Sequence, residues 1–269
     1  MQEKNLIYRL LHCIRAEINT GLYPACKRET MKDTLILAVE TSGRHGSIAL
    51  GSGARLLEEQ PFSAPMKDSA EIFPAACALL ERHHHRVSEI KHIYISSGPG
   101  SFTGIRIAIT MAKAAALAAG TKIVAVDSLE VIAGNINPAS KGGDTAIPTA
   151  IAPVIDAKRG KFFTAVYIRI DEQWQKASES CILSPEELIQ QYASADRPLH
   201  LLGEGLLYYR DRFRCPHITI AEEELWSPRA SRVHQLGWKK ALRGGFTDRR
   251  ELKPVYLRDP DVNQPKKQN

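Results

Sequence analysis

The apolar positions between residues 35 and 133 fall into a clear order of strands and helices. Leu35 to Val39 is an unbroken apolar run of strand length, which predicts a strand buried on both faces. Glu40-Thr41-Ser42-Gly43 interrupts it as a turn, Ser47 to Leu50 returns, and Gly51-Ser52-Gly53 leads into a third strand over Ala54 to Glu58. The spacing then changes. Ile72, Phe73, Ala76, Leu79 and Leu80 share one face of a helix from Ser69 to Arg82, with a kink expected at Pro74. His92 to Ser96 reads as a strand, and Ile105 to Ala119 as a helix closed by Gly120. Arg106, Thr110 and Lys113 are the only polar residues in that stretch and form one narrow stripe. A helix so apolar needs its own core on one side and further cover on the other. Ile123 to Val126 and Ser128 to Ala133 complete the series as a short strand and a helix.

A cluster of Asn, Pro, Ser, Gly and Asp between residues 135 and 148 predicts a loop and a domain seam. The order then begins again: a strand over Ala150 to Asp156, a turn at Ala157 to Lys161, and a strand over Phe162 to Ile170. A helix over Pro185 to Tyr192 follows, then a strand over Leu199 to Leu202 ending at Gly203-Glu204-Gly205. The expected architecture is α/β, with two tandem domains of mixed sheets flanked by helices, 31–135 and a smaller 136–258. Residues 1–30 are expected outside the fold, either as an appendage or as sequence translated from an early start, because Met31 stands just ahead of the first strand. Leu6, Leu10, Leu11, Ile14 and Ile18 would permit a short amphipathic helix there. Residues 259–269 read as a polar tail.

Composition changes this picture little. The chain has 269 residues, 43% hydrophobic and 25% charged, and a net charge of +6 that reads as scattered rather than striped. Five well-separated cysteines suit a reducing compartment, so a cytoplasmic protein is expected. No apolar run approaches the roughly 18 residues needed to span a bilayer, and no signal peptide is visible.

Candidate chemistry is sparse. Gly98-Pro99-Gly100-Ser101-Phe102-Thr103-Gly104 joins a strand to a helix and could hold phosphate on its amides. It lacks the Gly-Lys-Ser/Thr of a P-loop and the spacing of the dinucleotide fingerprint. The competing reading is that its glycines let backbone pass close by, with Ser101 or Thr103 capping the helix. Glu40, Thr41 and Ser42 could meet a Mg²⁺-bound phosphate or simply cap their turn. His83-His84-His85 cannot converge on one ion from consecutive helical positions. No Gly-x-Ser-x-Gly elbow is present, and no cysteine sits in a glycine turn.

Four segments together resemble the bacterial tRNA threonylcarbamoyladenosine biosynthesis family TsaB, also called YeaZ. They are Leu37-Ala38-Val39-Glu40-Thr41-Ser42, Gly98 to Arg106, Ile155 to Gly160, and Pro254-Val255-Tyr256-Leu257-Arg258. The resemblance runs from about Met31 to Arg258. It implies the fold of actin-like ATPases and sugar kinases in two tandem domains. It further implies a non-catalytic scaffold that pairs with a TsaD-like transferase in threonylcarbamoylation of the adenosine beside the tRNA anticodon. A TsaE-like ATPase would join the pair, the chain would form a homodimer without its partner, and tRNA would be touched only indirectly. No metal is implied; Met66-Lys67-Asp68-Ser69 lacks the histidine pair of TsaD-like enzymes. No cofactor of its own is implied either, although Glu40, Thr41, Ser42, Gly98 and Gly100 leave room for weak ATP or ADP binding, with or without Mg²⁺. By the same resemblance the partner-binding residues are Ile72, Ala76 and Leu79 with Ile105, Arg106, Ile109, Ala112 and Ala116. The alternatives are an active ATPase or small-molecule kinase of this fold, kept by Glu40 and Asp156 at equivalent strand ends, and a peptidase, for which no nucleophile or metal set is visible.

Overall fold

The computed structural model describes residues 33–63, 68–139 and 148–258; the side chains of 68 and 69 are excepted. The expected N-terminal extension, the polar tail and Met66-Lys67 lie outside the described residues. The first sheet holds β1 (Leu35–Glu40), β2 (Ser47–Ser52), β3 (Arg55–Pro61), β4 (His92–Ser96) and β5 (Lys122–Val126) in the order β3-β2-β1-β4-β5. The first three strands are antiparallel, whereas β4 and β5 run parallel to β1. This sheet alternates with period two. Leu35, Leu37 and Val39 face one core, while Ile36 and Ala38 face another.

The first core is closed by α1 (Asp68–Arg82) and α2 (Phe102–Ala119). Ser101 caps α2 by accepting a hydrogen bond from the Gly104 amide, and Gly120 ends it at φ +68°. Pro74 lies inside α1, as the sequence requires. Among the described residues α2 is the one helix long and apolar enough to cross a membrane. Its buried side, which includes Ile105, Ala108, Ile109 and Ala112, is packed into the first core, the placement of a core helix.

The second sheet repeats the plan. It holds β6 (Ala150–Pro153), β9 (Tyr167–Ile170), β10 (Gln173–Lys176), β12 (Leu199–Leu202) and β13 (Ile218–Ile220), in the order β10-β9-β6-β12-β13. Again three antiparallel strands adjoin two parallel ones. The strands expected over 150–156 and 162–170 are each divided. β7 (Ile155–Asp156) and β8 (Phe162–Thr164) leave the main sheet and pair with β11 (Cys181–Leu183). The first break comes at Val154, whose amide donates to the Leu202 carbonyl and whose carbonyl accepts from the Gly205 amide. Gly203, at φ +117°, allows this approach, since a Cβ there would lie 2.4 Å from the Val154 oxygen. α3 (Ser128–Ala133), α4 (Pro185–Tyr192) and the short α5 (Leu206–Tyr209) complete this half. α4 starts with a full capping box of Ser184 and Glu187.

The last helix, α6 (Ala230–Leu242), returns to the first sheet and covers its second face with Ala230, Val233 and Ala241. Its first amides are met by that sheet: Ala230 donates to Ser47 Oγ, and Ser231 donates to the Glu59 carboxylate. Gly237 lets the helix lie against the Tyr94 ring, where a Cβ would come within 2.5 Å. Sequence reasoning did not foresee α6, nor the strands β10, β11 and β13.

Candidate functional site

The two sheets present their first turns to a shared cleft of about 430 Å³. On one side β1 ends at Glu40, which is fully buried. Its Oε1 accepts from both the amide and the hydroxyl of Ser42 at 2.6 Å, and its Oε2 has no partner. Burial pushes this carboxyl up to about 7, against the opposing effect of the Ser42 donors. Thr41 is also buried and donates to the Gly104 carbonyl.

The glycine loop is knitted to this turn. Ser101 donates its amide to the Ser42 carbonyl at 2.8 Å, and Gly100, at φ +151°, would place a Cβ 2.4 Å from that same oxygen. The Gly98 carbonyl accepts from Ser128, while Val255 passes over Gly98 and donates to the Ser97 carbonyl. Of the two readings open from sequence, close backbone approach describes this loop. Of the five residues considered for nucleotide, Ser42 and Gly100 line the cleft, whereas Glu40, Thr41 and Gly98 are not among its lining residues.

On the other side β7 ends at Asp156. One carboxylate oxygen accepts from the Lys158 amide and the Tyr209 hydroxyl, each at 2.8 Å; the other pairs with the Lys158 ammonium. Partial burial works to raise this carboxyl, but Lys158 and Tyr209 outweigh it and hold it below its ordinary value. The paired carboxylate in turn raises Lys158. Lys158 and Arg159 adopt left-handed backbone, at φ +63° and +57°.

Several wall residues escaped sequence reasoning. Glu204 accepts from the Arg44 amide and the Ser227 hydroxyl, and Arg44 reaches the Tyr208 hydroxyl. The segment Pro254 to Arg258, known from sequence only as a family motif, straps the two sides together. Tyr256 stacks on Phe102 and accepts from Arg106, whose guanidinium lies 4.0 Å from the Phe102 ring centroid. Arg258 donates to the Ala157 carbonyl. Among the described residues no cluster of His, Cys, Asp or Glu could hold a metal ion.

The helix stripe chosen for a partner has a different place. Ile72, Leu79, Ile105 and Ala112 are at most 1% exposed, and Ala76, Ile109 and Ala116 at most 9%. These side chains face the first sheet and form the chain's own core, because the sheet claims the stripe with the most apolar bulk. Arg106 alone of the set is exposed. The outward side exposes Ala70, Pro74 and Cys77 on α1, with Thr103, Arg106, Thr110 and Leu117 on α2, while Phe73, Ile107 and Ala114 are half-buried, the first two against the first core.

Comparison with known proteins gives a consistent answer. Residues 60–262 match the family described as TsaD: tRNA N6-adenosine threonylcarbamoyltransferase. The chain is 27% identical over 226 residues to the tRNA threonylcarbamoyladenosine biosynthesis protein TsaB of Bacillus subtilis, covering 83% of this chain and 93% of that protein. It is 26% identical over 226 residues to TsaB of Escherichia coli, covering 83% and 94%. Among solved structures, a Pseudomonas aeruginosa protein described as similar to peptidase YeaZ superposes with a TM-score of 0.71 at 25% identity, over 84% of this chain and all of that one. YeaZ from Pseudomonas aeruginosa superposes with a TM-score of 0.70 at 24% identity, over 83% of this chain and all of that one.

Proposed function

Because the chain belongs to the TsaD-type family and within it to the TsaB/YeaZ proteins of tRNA threonylcarbamoyladenosine biosynthesis, we propose that it is the non-catalytic subunit that pairs with a TsaD-like transferase in the cytoplasm. The observation that carries this reading is the outer face of the α1/α2 pair. Leu117 is 70% exposed, the most of any large apolar side chain among the described residues, and on the same two helices Pro74 is exposed and Ala114 half-buried. Small residues such as Ala114 allow a partner's helices to approach closely, and an exposed apolar side chain such as Leu117 can anchor the contact once buried by a partner.

The cleft supports a non-catalytic role by how its carboxylates are used. Asp156 is held by Lys158 and Tyr209, Glu204 by Arg44 and Ser227, and Glu40 lies sealed beneath Ser42. Asp156 and Glu204 are thus committed to holding their turns, and Glu40 is not among the residues that line the cleft. We retain ATP or ADP as a weak ligand above Ser42 and Gly100, near the Arg44 and Lys158 cations, with negligible turnover expected from the isolated chain. The domains read as two tandem lobes, 31–135 and 136–258, except that α3 packs Leu129, Ile132 and Ala133 into the core of the second lobe and α6 returns to the first lobe. A TsaE-like ATPase would join the complex, and a homodimer through the same helices would form when the transferase is absent.

The test is co-purification of the tagged full chain with the TsaD-like enzyme of the same organism, comparing wild type with Leu117→Asp. Wild type should retain the enzyme, and the variant should lose affinity by about thirty-fold or more. Its melting temperature should stay within a degree or two of wild type, because Leu117 is not in the core. An undiminished complex would move the docking surface elsewhere, and failure of wild type to bind would remove the pairing. ATP hydrolysis by the isolated chain at ordinary kinase rates would favour the active ATPase or kinase reading instead.

A further inference from the structure

The positive charge is less scattered than the sequence suggests. Residues 239–253 hold six cationic side chains against two acidic ones, a surplus of four in a chain whose net charge is +6. The fold gathers this segment along one sheet edge. β5 is the outer strand of the first sheet, and the stretch after α6 is stapled to it: Thr247 donates its amide to the Ile123 carbonyl, and Lys240 donates its ammonium to the Ala125 carbonyl. Lys122, at the start of β5, lies 4.9 Å from the Phe246 ring centroid. Between these elements is an open depression of about 460 Å³ lined by Lys122, Arg249 and Arg250.

The charges there are largely uncompensated. Among the described residues no ion pair involves Arg243, Arg249 or Arg250. Asp248 lines the same depression, and its carboxylate accepts the Arg250 amide of its own turn. Glu130 faces Lys239 and Lys240, so those two are partly offset; of the segment's remaining cations, Arg243, Arg249, Arg250 and Lys253, Arg249 and Arg250 line the depression together with Lys122 of β5. Arginine forks fit phosphate oxygens in a bidentate way, and several such groups along one edge match a polyanion backbone better than a single small anion.

We propose that this edge, formed by Lys122, Arg243, Arg249 and Arg250, is a direct docking surface for the phosphate backbone of RNA. The choice of RNA rests on the role in tRNA modification given above, and direct contact goes beyond the indirect contact that the family resemblance implies. Neutralising phosphates releases counterions, so binding should weaken with salt, with a slope of about 0.7 to 0.9 log units per contact.

Fluorescence anisotropy of the full chain with an unmodified anticodon stem-loop RNA, between 50 and 200 mM KCl, tests this. Replacing Arg243, Arg249 and Arg250 together by Gln should weaken binding at least tenfold at 50 mM and flatten the salt slope by about 2. Arg210→Gln with Arg214→Gln, on the other half, should change affinity less than twofold. The same triple replacement by Lys, which keeps the charge, should recover most of the slope and shows that loss is not misfolding. Equal binding by the Gln triple variant overturns the proposal. So does displacement of the RNA by phosphatidylglycerol vesicles at equal charge, which would mark a membrane surface instead. Wild type that binds the transferase but not RNA sinks this inference alone; wild type that binds neither removes the functional reading beneath it.

Discussion

At the end of β1 the Glu40 carboxyl is sealed from solvent and held by two Ser42 donors, and the glycine loop is hydrogen-bonded to the Ser42 carbonyl beside it. At the end of β7 the Asp156 carboxylate stands at the cleft wall, paired with a lysine whose side chain is 76% exposed. The two five-stranded sheets share one strand order, centred on β1 and β6, but β7 has left the second sheet to pair with β8, so the two carboxylates stand in different local settings. The first turn is a packed joint where three backbone segments meet, and the second is an open, charged turn. Duplicated architecture therefore does not imply duplicated chemistry, because burial decides which carboxylate can respond to a ligand.

The largest expected effect breaks the packed joint. Gly100→Ala puts a Cβ against the Ser42 carbonyl and asks an L-residue to hold φ +151°, so it should cost about 3 kcal/mol or more. Gly160→Ala is its counterpart in the open turn. At φ +74° the nearest heavy atom to its Cβ is the flexible end of Arg212, 3.7 Å away, so about 1 kcal/mol is expected. Urea melts of both variants check the difference. Equal losses would mean that the two turns are packed alike.

Next in size is the pH response. Glu40 sits at about 7 in the folded chain against an ordinary 4.5. The folded state thus binds the proton more tightly, and this contribution is complete below pH 4.5 and lost as pH rises toward and through 7. The span corresponds to about 3 kcal/mol at 1.36 kcal/mol per unit. Glu40→Gln keeps an oxygen for the Ser42 donors but cannot ionise, so its stability should fall less than wild type between pH 5 and 8. Asp156 has the opposite sign. Its carboxyl is held down, so its contribution is present above its ordinary 3.8 and lost as pH falls through the lower folded value. Asp156→Asn should therefore matter at neutral pH and cease to matter in acid. Melting temperatures across pH 3 to 8 separate the two, and parallel profiles would refute the contrast.

The same physics explains what the sequence could reveal. Continuous apolar runs such as Leu35 to Val39 and Ile93 to Ile95 left no other reading than buried strands. The repeated order of turn, strand, helix and strand was visible for the same reason. α6 was not, because Ala230, Val233, His234, Gly237 and Ala241 have helical spacing but include a histidine and a glycine that no hydropathy pattern flags. Its place on the first sheet depends on Ser47 and Glu59, more than 170 residues away in sequence. The inner face of α2 was legible as apolar, yet choosing which apolar stripe meets the sheet needed the sheet itself. Ile109, offered as a docking residue, is core, so Ile109→Asp would report unfolding rather than loss of a partner. Glu40, beneath the cleft, and Asp156, on its wall, were found because they end strands, whereas Arg44, Glu204 and Tyr208 converge there only through the fold.

The smallest effect sharpens the comparison most directly. Lys158→Ala removes an exposed ammonium from Asp156 but leaves the backbone amide and the Tyr209 hydroxyl in place. Surface pairs of this exposure contribute between 0 and about 1 kcal/mol, so the melting temperature should move by no more than a few degrees. The carboxyl itself should respond, because the Lys158 side-chain hydrogen bond is the largest of the effects that oppose its partial burial. Carbon-13 detected titration of the Asp156 side chain should show its pKa rising in the variant, while that of Glu40 stays where it is. A Glu40 shift of similar size would mean that the two turns communicate across the cleft. The open turn would then be coupled to the joint, and the halves would have to be treated as one electrostatic site.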